Sequence, residues 1–236
     1  MNESHIVKSY DADLQHLQLA ILNMGDAVQK QIQDALTSLS EMNLALASQV
    51  TDNDHQIDQM EAHIDQMALQ ILVLRQPVAF DLRIVIASLK MANHFERIAD
   101  YGANISRRVL MMDAQQPLLR KPPVLLFRMG ELVQQMMSAV QKAFQAQSRD
   151  AAKKAWKEDE EVDQLYNALL RELLTYMMED PRCIGLSAHY LFIAKNIERI
   201  GDHVTNLAEI IAVMVRGKPL KELRTHSTES FQIKPH

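Results

Sequence analysis

The sequence is short of everything that interrupts a helix. It holds six glycines and seven prolines in 236 residues, and aromatics make up only 5%. No alternating Val/Ile/Thr/Tyr runs bounded by turn residues occur, which argues against strands. With long stretches of Ala, Leu, Gln and Met, the expectation is an all-α protein. A single cysteine, Cys183, excludes an internal disulfide and reads as a free thiol near a helix start, suited to a reducing cytosol. No general base lies around it in a pattern that would make it a nucleophile. No uninterrupted apolar run approaches the ~18 residues of a membrane span. The polar N-terminus lacks an apolar h-region, so no signal peptide is expected. The net charge is −5, with Lys and Arg scattered, which does not describe a nucleic-acid surface.

Apolar residues recur at helical spacing through most of the chain. Residues 1–8 are expected to fray, and a first helix is read from about Ser9 to about Ala47, with Leu17, Ile21, Met24, Val28, Ile32, Ala35 and Leu39 as its stripe. Thr51-Asp-Asn-Asp54 is taken as the first break and the cap of a second helix. That helix carries Ile57, Met60, Ile64, Met67, Ile71 and Leu74 and ends at Pro77. A third runs from about Phe80 to about Met112, before a linker marked by Pro117, Pro122 and Pro123. The plan then repeats: about Val124 to Gln147, about Asp150 to Met178 ending at Pro181, and about Leu186 to Val215, closed by Gly217 and Pro219. The tail beyond is expected to be mobile.

The halves align. Met24-Gly-Asp-Ala-Val-Gln29 matches Met129-Gly-Glu-Leu-Val-Gln134, and Asp54-x-x-Ile-Asp-Gln59 matches Asp159-x-x-Val-Asp-Gln164, both at an offset of 105. Pro77 and Pro181 differ by 104, and Glu96 and Glu198 by 102. Two tandem, pseudo-symmetric three-helix bundles follow, six long helices in all. The expected divisions are 1–8, repeat 1 over 9–114, repeat 2 over 115–217, and the tail 218–236.

Each repeat carries the same acidic stripe, Glu96-Arg-Ile-Ala-Asp100 and Glu198-Arg-Ile-Gly-Asp202. Residues four apart stack on one helix face, so each stripe sets two like charges together, with Asn104 and Asn206 one turn further on. The second helices carry Asp54 with Asp58, and Asp159 with Asp163. If the chain reverses at Pro77, Asp58 and Glu96 are both 19 residues from the turn, and Asp54 and Asp100 both 23. In repeat 2, Asp163 lies 18 before Pro181 and Glu198 lies 17 after it. Arg97 and Arg199, as adjacent residues, are expected to point away from their own stripes. One such pair is ordinarily a solvated acidic face. Two at equivalent positions point to a cation, and oxygen-only donors suit Mg²⁺, Mn²⁺, Ca²⁺ or iron better than the thiolate and imidazole sets of structural zinc. The candidate ligands are Glu96, Asp100, Glu198 and Asp202, with Asp58 and Asp163 added from turn geometry. Asp13-x-x-His16, Asp52-x-x-His55, His94 and His203 are weaker candidates, because none recurs in the other repeat. The methionines read as core filling.

On these residues the chain resembles the PhoU family of phosphate-signalling proteins. The motifs read His94-Phe-Glu-Arg-Ile-Ala-Asp-Tyr-Gly-Ala-Asn104 and Asn196-Ile-Glu-Arg-Ile-Gly-Asp-His-Val-Thr-Asn206. Arg75-Gln-Pro77 with Asp81-Leu-Arg83, Leu173 through Pro181, and Ala208 through Gly217 are similar too, so the resemblance covers about residues 8–217. One departure is Ala99, where many members have the Gly seen at 201; a helix interior accepts Ala at least as well. The resemblance implies a cytoplasmic, non-enzymatic adaptor that represses the phosphate-starvation response and restrains phosphate uptake. It would act between the phosphate ABC transporter, with its ATPase, and a sensor histidine kinase, meeting the membrane only through partners. It also implies metal on the repeated acidic motifs, with iron, Mg²⁺, Mn²⁺ and zinc as candidates, and commonly a homodimer. Two other readings stand beside it: a carboxylate-bridged metalloenzyme, although no repeated Glu-x-x-His pair occurs, and a metal-free helical scaffold.

Overall fold

The structure is a computed structural model that describes residues 3–112 and 121–220. Six α-helices follow one another: α1 (Glu3–Glu41), α2 (Leu44–Arg75), α3 (Ala79–Met111), α4 (Val124–Gln145), α5 (Arg149–Glu179) and α6 (Ile184–Arg216), with a 3₁₀ turn at Pro181–Cys183. No strand occurs among the described residues. Pro117 and the tail from 221 onward lie outside them.

The first break is earlier than the sequence reading placed it. The chain turns at Met42, where φ is 50°, and the Asn43 side chain accepts from Leu46 N at 3.0 Å. With α2 already capped at Asn43, Thr51 to Asp54 continue inside it as helix. Ser148 does the same for α5, accepting from Ala151 N at 3.3 Å. At the α5–α6 turn, Asp180 accepts from Arg182 N at 3.0 Å, and Cys183 is buried where α6 begins. Gly217 ends α6 at φ 68°, a left-handed conformation that glycine adopts without steric cost.

Each set of three helices packs as an up-down-up bundle, and the two bundles meet through α1 against α4 and α3 against α6. The outer helices are α2 and α5. Three contacts fix the direction of the α3–α6 seam. Arg83, near the start of α3, donates to the Met214 carbonyl near the end of α6 at 2.9 Å. His94 meets His203 in the middle, and Arg108, near the end of α3, lies 4.0 Å from the Phe192 ring centre near the start of α6. The two helices therefore run antiparallel.

The stripes of α1, α3 and α6 face this common core, with Leu17, Ile21, Met24, Phe95, Ile98, Ile197 and Ile200 fully buried. The α2 stripe is less complete: Ile57, Ile64 and Ile71 are buried, whereas Leu74 is exposed. Leu74 belongs to a band of exposed apolar residues near the α2–α3 turn that includes Leu69, Val73 and Leu82. The same band recurs in repeat 2 as Leu174, Met178 and Ile184. Among the described residues no helix is long and apolar enough to cross a membrane.

Candidate carboxylate stations

The acidic motif of α3 lies against α2, because the chain reverses at Pro77 and the apolar stripes of both helices turn inward. This arrangement, called here the first station, brings Glu96 and Asp100 beside carboxylates of α2. Burial, reinforced by Asp100, Glu61 and Asp58, pushes the Glu96 carboxyl up from 4.5 to about 7. Burial and the charges of Asp54 and Asp58 also raise Asp100, against the opposing pull of Arg97 and Arg107. Such mutual repulsion marks a group of acids without enough compensating charge. Asp54 is held in place by Gln31 Nε2 at 2.9 Å and by Arg107 at 3.3 Å. Gln31 also donates to the Ala99 carbonyl at 3.1 Å, tying α1 to the station. Arg107 donates to Asn104 Oδ1 at 2.7 Å, so that amide positions an arginine. Asp58 is exposed on α2.

The second station is built differently. Lys195 Nζ lies 2.7 Å from Glu198 Oε1, while Glu198 Oε2 is buried without a hydrogen-bond partner. Arg199 stands 3.5 Å from Asp202 and 3.9 Å from Glu198. Asp163 is exposed, and its backbone carbonyl accepts from Asn167 Nδ2 at 2.9 Å. Asp159, the counterpart of Asp54, is only 1% exposed. It is packed so closely under α6 that a Cβ on Gly201 would sit 2.8 Å from its Oδ1. Glycine at 201 is thus a matter of close approach, which the helix-propensity argument at Ala99 does not address. Where repeat 1 has Ala99, Asp54 stays half-buried and takes external partners.

The expectation that Arg97 and Arg199 turn away from their own stripes is corrected. Arg97 Nε comes within 3.6 Å of Glu96, and Arg199 reaches Asp202 one turn on. The reason is ordinary helix geometry: Arg199 and Asp202 are three apart, and a long guanidinium spans that gap.

The histidines that adjoin the motifs meet each other. His94 Nδ1 and His203 Nδ1 are 2.8 Å apart across the α3–α6 seam, with the Tyr101 ring 5.6 Å from that of His203. One ring must donate and the other accept, so at least one is neutral. Burial, with His203 and Lys90, pushes His94 down to about 4. Burial, with Arg97 and Arg199, lowers His203. The remaining fragments are used elsewhere: Asp13 pairs with Arg75 at 2.8 Å, and His55 Nδ1 contacts the Asp52 carbonyl at 2.6 Å.

The first station crowds carboxylates that are only partly neutralised, the oxygen-only donor type on which the cation expectation was based. As placed, however, no group of three or more His, Cys, Asp or Glu among the described residues could hold a metal ion. Binding would require side chains to turn inward. Sequence reasoning missed Glu61, Lys195 and the histidine pair. Glu61 continues the Asp54, Asp58 face by one more turn and was legible in that spacing; Lys195 lies three before Glu198, an ordinary helical partner.

Comparison with known proteins gives a consistent result. Residues 21–109 and 126–211 each match the PhoU domain, so each match contains one acidic motif. A "Phosphate-specific transport system accessory protein PhoU homolog" of Caulobacter vibrioides is 40% identical over 220 residues, 93% of this chain and 95% of that one. A protein of the same description from Zymomonas mobilis is 42% identical over 218 residues, 92% of this chain and 91% of that one. The crystal structure of PhoU from Pseudomonas aeruginosa superimposes with a TM-score of 0.84 at 38% identity, covering 89% of this chain and all of that one. The phosphate transport system regulatory protein PhoU from Streptococcus pneumoniae gives 0.83 at 28% identity, covering 89% of this chain and 99% of that one.

Proposed function

Because the chain belongs to the PhoU family, matching its domain over two segments, we propose that it is an accessory regulator of phosphate transport that works by binding rather than by catalysis. In this reading it acts in the cytoplasm between a phosphate ABC transporter and a sensor histidine kinase. It restrains uptake and represses the phosphate-starvation response when phosphate is plentiful. The observation that carries the reading is the paired PhoU match with one acidic motif in each segment. Names of relatives from Caulobacter and Pseudomonas place those proteins with phosphate-specific transport.

The physical means is differential affinity: a partner's equilibrium shifts only as far as the adaptor prefers one of its states. Exposed apolar residues at repeat-equivalent positions supply contact area for this, Leu69 with Leu174 and Val73 with Met178. The carboxylate stations add a second element, a divalent cation held by Glu96 and Asp100 with Asp58, and by Glu198 and Asp202 with Asp163. Bound there, the ion would neutralise the stripe, while the residues themselves orient it between two helices. A second reading is a metal-free scaffold whose acids meet basic partners; it is consistent with the lack of a converged set of three ligands among the described residues.

The test is genetic and chemical together. Deleting the gene is expected to leave phosphate-responsive promoters active in high phosphate, and the wild-type gene to restore repression. Normal repression in the deletion strain would end the regulatory reading. Elemental analysis of untagged protein prepared without chelator separates the metal reading from the scaffold, which predicts repression without bound metal.

A further inference from the structure

Bases that are scattered along the sequence are gathered by the fold at one end of the molecule. Arg83 at the start of α3 reaches the Met214 carbonyl of α6 at 2.9 Å, and Arg149 at the start of α5 donates to the Pro219 carbonyl just beyond α6 at 3.3 Å. The α2–α3 turn, the α4–α5 turn and the end of α6 therefore share one end of the body. Lys142 lies in the last turn of α4, Lys153 and Lys154 follow Arg149 in α5, and Arg216 and Lys218 stand at the end of α6. Arg149 and Lys153 are half-buried and the others exposed. The N-terminus of α5 adds its partial positive charge to theirs. Acids at this end are largely engaged: Asp13 with Arg75 at 2.8 Å, Asp81 with the Tyr10 hydroxyl at 2.8 Å, and Glu209 with the Leu220 amide at 2.9 Å. Asp11 and Asp150 stay exposed. In a chain of net charge −5 this end is a basic exception.

Aliphatic side chains project from the same end. Leu74 and Val78 at the α2–α3 turn are exposed, as are Leu82 and Ile86 on α3 and Val213 on the neighbouring α6. Protein interfaces concentrate aromatics, Met and Arg at their core. A lipid surface instead accepts protruding aliphatics without a shaped counterpart, and draws clustered Lys and Arg to anionic headgroups. The opposite end lacks this pairing. Met178 and Ile184 are exposed there too, but they adjoin Glu179 and an Arg182 already held by Asp180 at 3.0 Å.

We propose that this end docks directly on an anionic phospholipid surface, with Val78 and its aliphatic neighbours in the headgroup layer and the bases of α4, α5 and α6 on the headgroup phosphates. The long helices then stand on the membrane. Glu96 lies about 25 Å along α3 from Ala79, beyond the ~10 Å over which exposed charges act at ordinary salt, so the acidic stations escape repulsion by the lipid. The contact belongs to the chain itself and requires no partner protein, which sets it apart from the adaptor reading.

The experiment sediments the full chain with sucrose-loaded vesicles of phosphatidylcholine alone or mixed with phosphatidylglycerol, with circular dichroism to confirm folding. Wild type is expected to co-sediment with the mixed vesicles only, and to be released as salt rises. Lys153→Glu/Lys154→Glu is expected to weaken this binding about tenfold or more, and Val78→Asp to weaken it about fivefold. Lys121→Glu/Arg182→Glu makes the same change of charge at the opposite end, on two exposed residues, and is expected to bind as wild type. A folded wild type that ignores the mixed vesicles, or binds phosphatidylcholine alone equally well, would overturn the proposal and return the patch to an acidic protein partner. Equal losses in the two double variants would also overturn it, because net charge rather than this end would then set the affinity. The deletion phenotype tests the regulatory reading separately, since repression through partners needs no lipid contact.

Discussion

Replacing Glu96 by Gln removes a charge that the fold accommodates poorly, and the effect on stability has a definite sign. The folded chain raises this carboxyl from 4.5 to about 7. Between those values the folded state binds more protons than the unfolded one, so stability falls as pH rises through the window, and the whole penalty stands above it. At about 1.36 kcal/mol per pH unit, the span from 4.5 to about 7 caps the penalty near 3 kcal/mol. The side chain is 21% exposed, with Arg97 at 3.6 Å, so screening reduces this to about 1–2 kcal/mol. In urea unfolding followed by circular dichroism, with chelator present, Glu96→Gln is expected to exceed the wild type by that amount near pH 8. The two should converge toward about pH 5, where the wild-type carboxyl is largely protonated when folded. If the station holds a divalent ion as proposed, adding Mn²⁺ should narrow or reverse the gap near pH 8, because the variant would lack one proposed ligand. A variant no more stable than wild type near pH 8, or a gain that persists unchanged on acidification, would refute the account of a crowded, under-neutralised station.

The other expectations can be checked on the same apparatus. His94 is lowered from 6.5 to about 4, so the unfolded chain binds the extra proton and stability is lost as pH falls through that window. For this half-buried ring, the wild-type advantage over His94→Gln should shrink by about 1–2 kcal/mol between about pH 7 and about pH 4.5. Gly201→Ala drives a Cβ to within 2.8 Å of Asp159 Oδ1. A net loss of about 1–2 kcal/mol is expected despite alanine's better helix propensity, and a raised Tm would contradict the close packing. Phe95, fully buried in the shared core, should cost about 3–5 kcal/mol when cut to Ala, and a loss below about 1 kcal/mol in denaturant unfolding would place it outside that core.

Most of the helical layout was readable from the sequence because stripes such as Leu17 to Leu39 and Ile193 to Ile211 carry an unbroken period. The first boundary was misplaced because Thr51, Asp52, Asn53 and Asp54 compose a stronger capping signal than lone Asn43. Once Met42 turns left-handed and Asn43 caps Leu46, the later signal has no helix start to serve. Leu74 kept the helical period yet is exposed, since periodicity identifies a face without showing that anything covers it. At the stations, spacing from Pro77 was enough to place Asp54 and Asp58 near Glu96 and Asp100. The reach of Arg199 and Lys195 was not visible in a pattern of Cα positions. It depends on which way long side chains swing once their neighbours are fixed.

The histidine contact has a consequence for how the chain came to have two unlike halves. His94 and His203 are not counterparts: by the repeat offset His94 corresponds to Asn196, and His203 to Tyr101. They touch because α3 and α6 cross antiparallel about a pseudo-dyad, the arrangement in which residue i of one half meets residue j of the other. Such a surface is the isologous interface of a two-fold dimer, here joined covalently end to end. Two separate copies of one gene product must carry the same residue on both sides of the axis. A fused pair need not, and this chain has used that freedom at the axis, in the histidine pair, and away from it, where Asn93 donates to Glu61 in one half while Lys195 lies over the Tyr166 ring in the other.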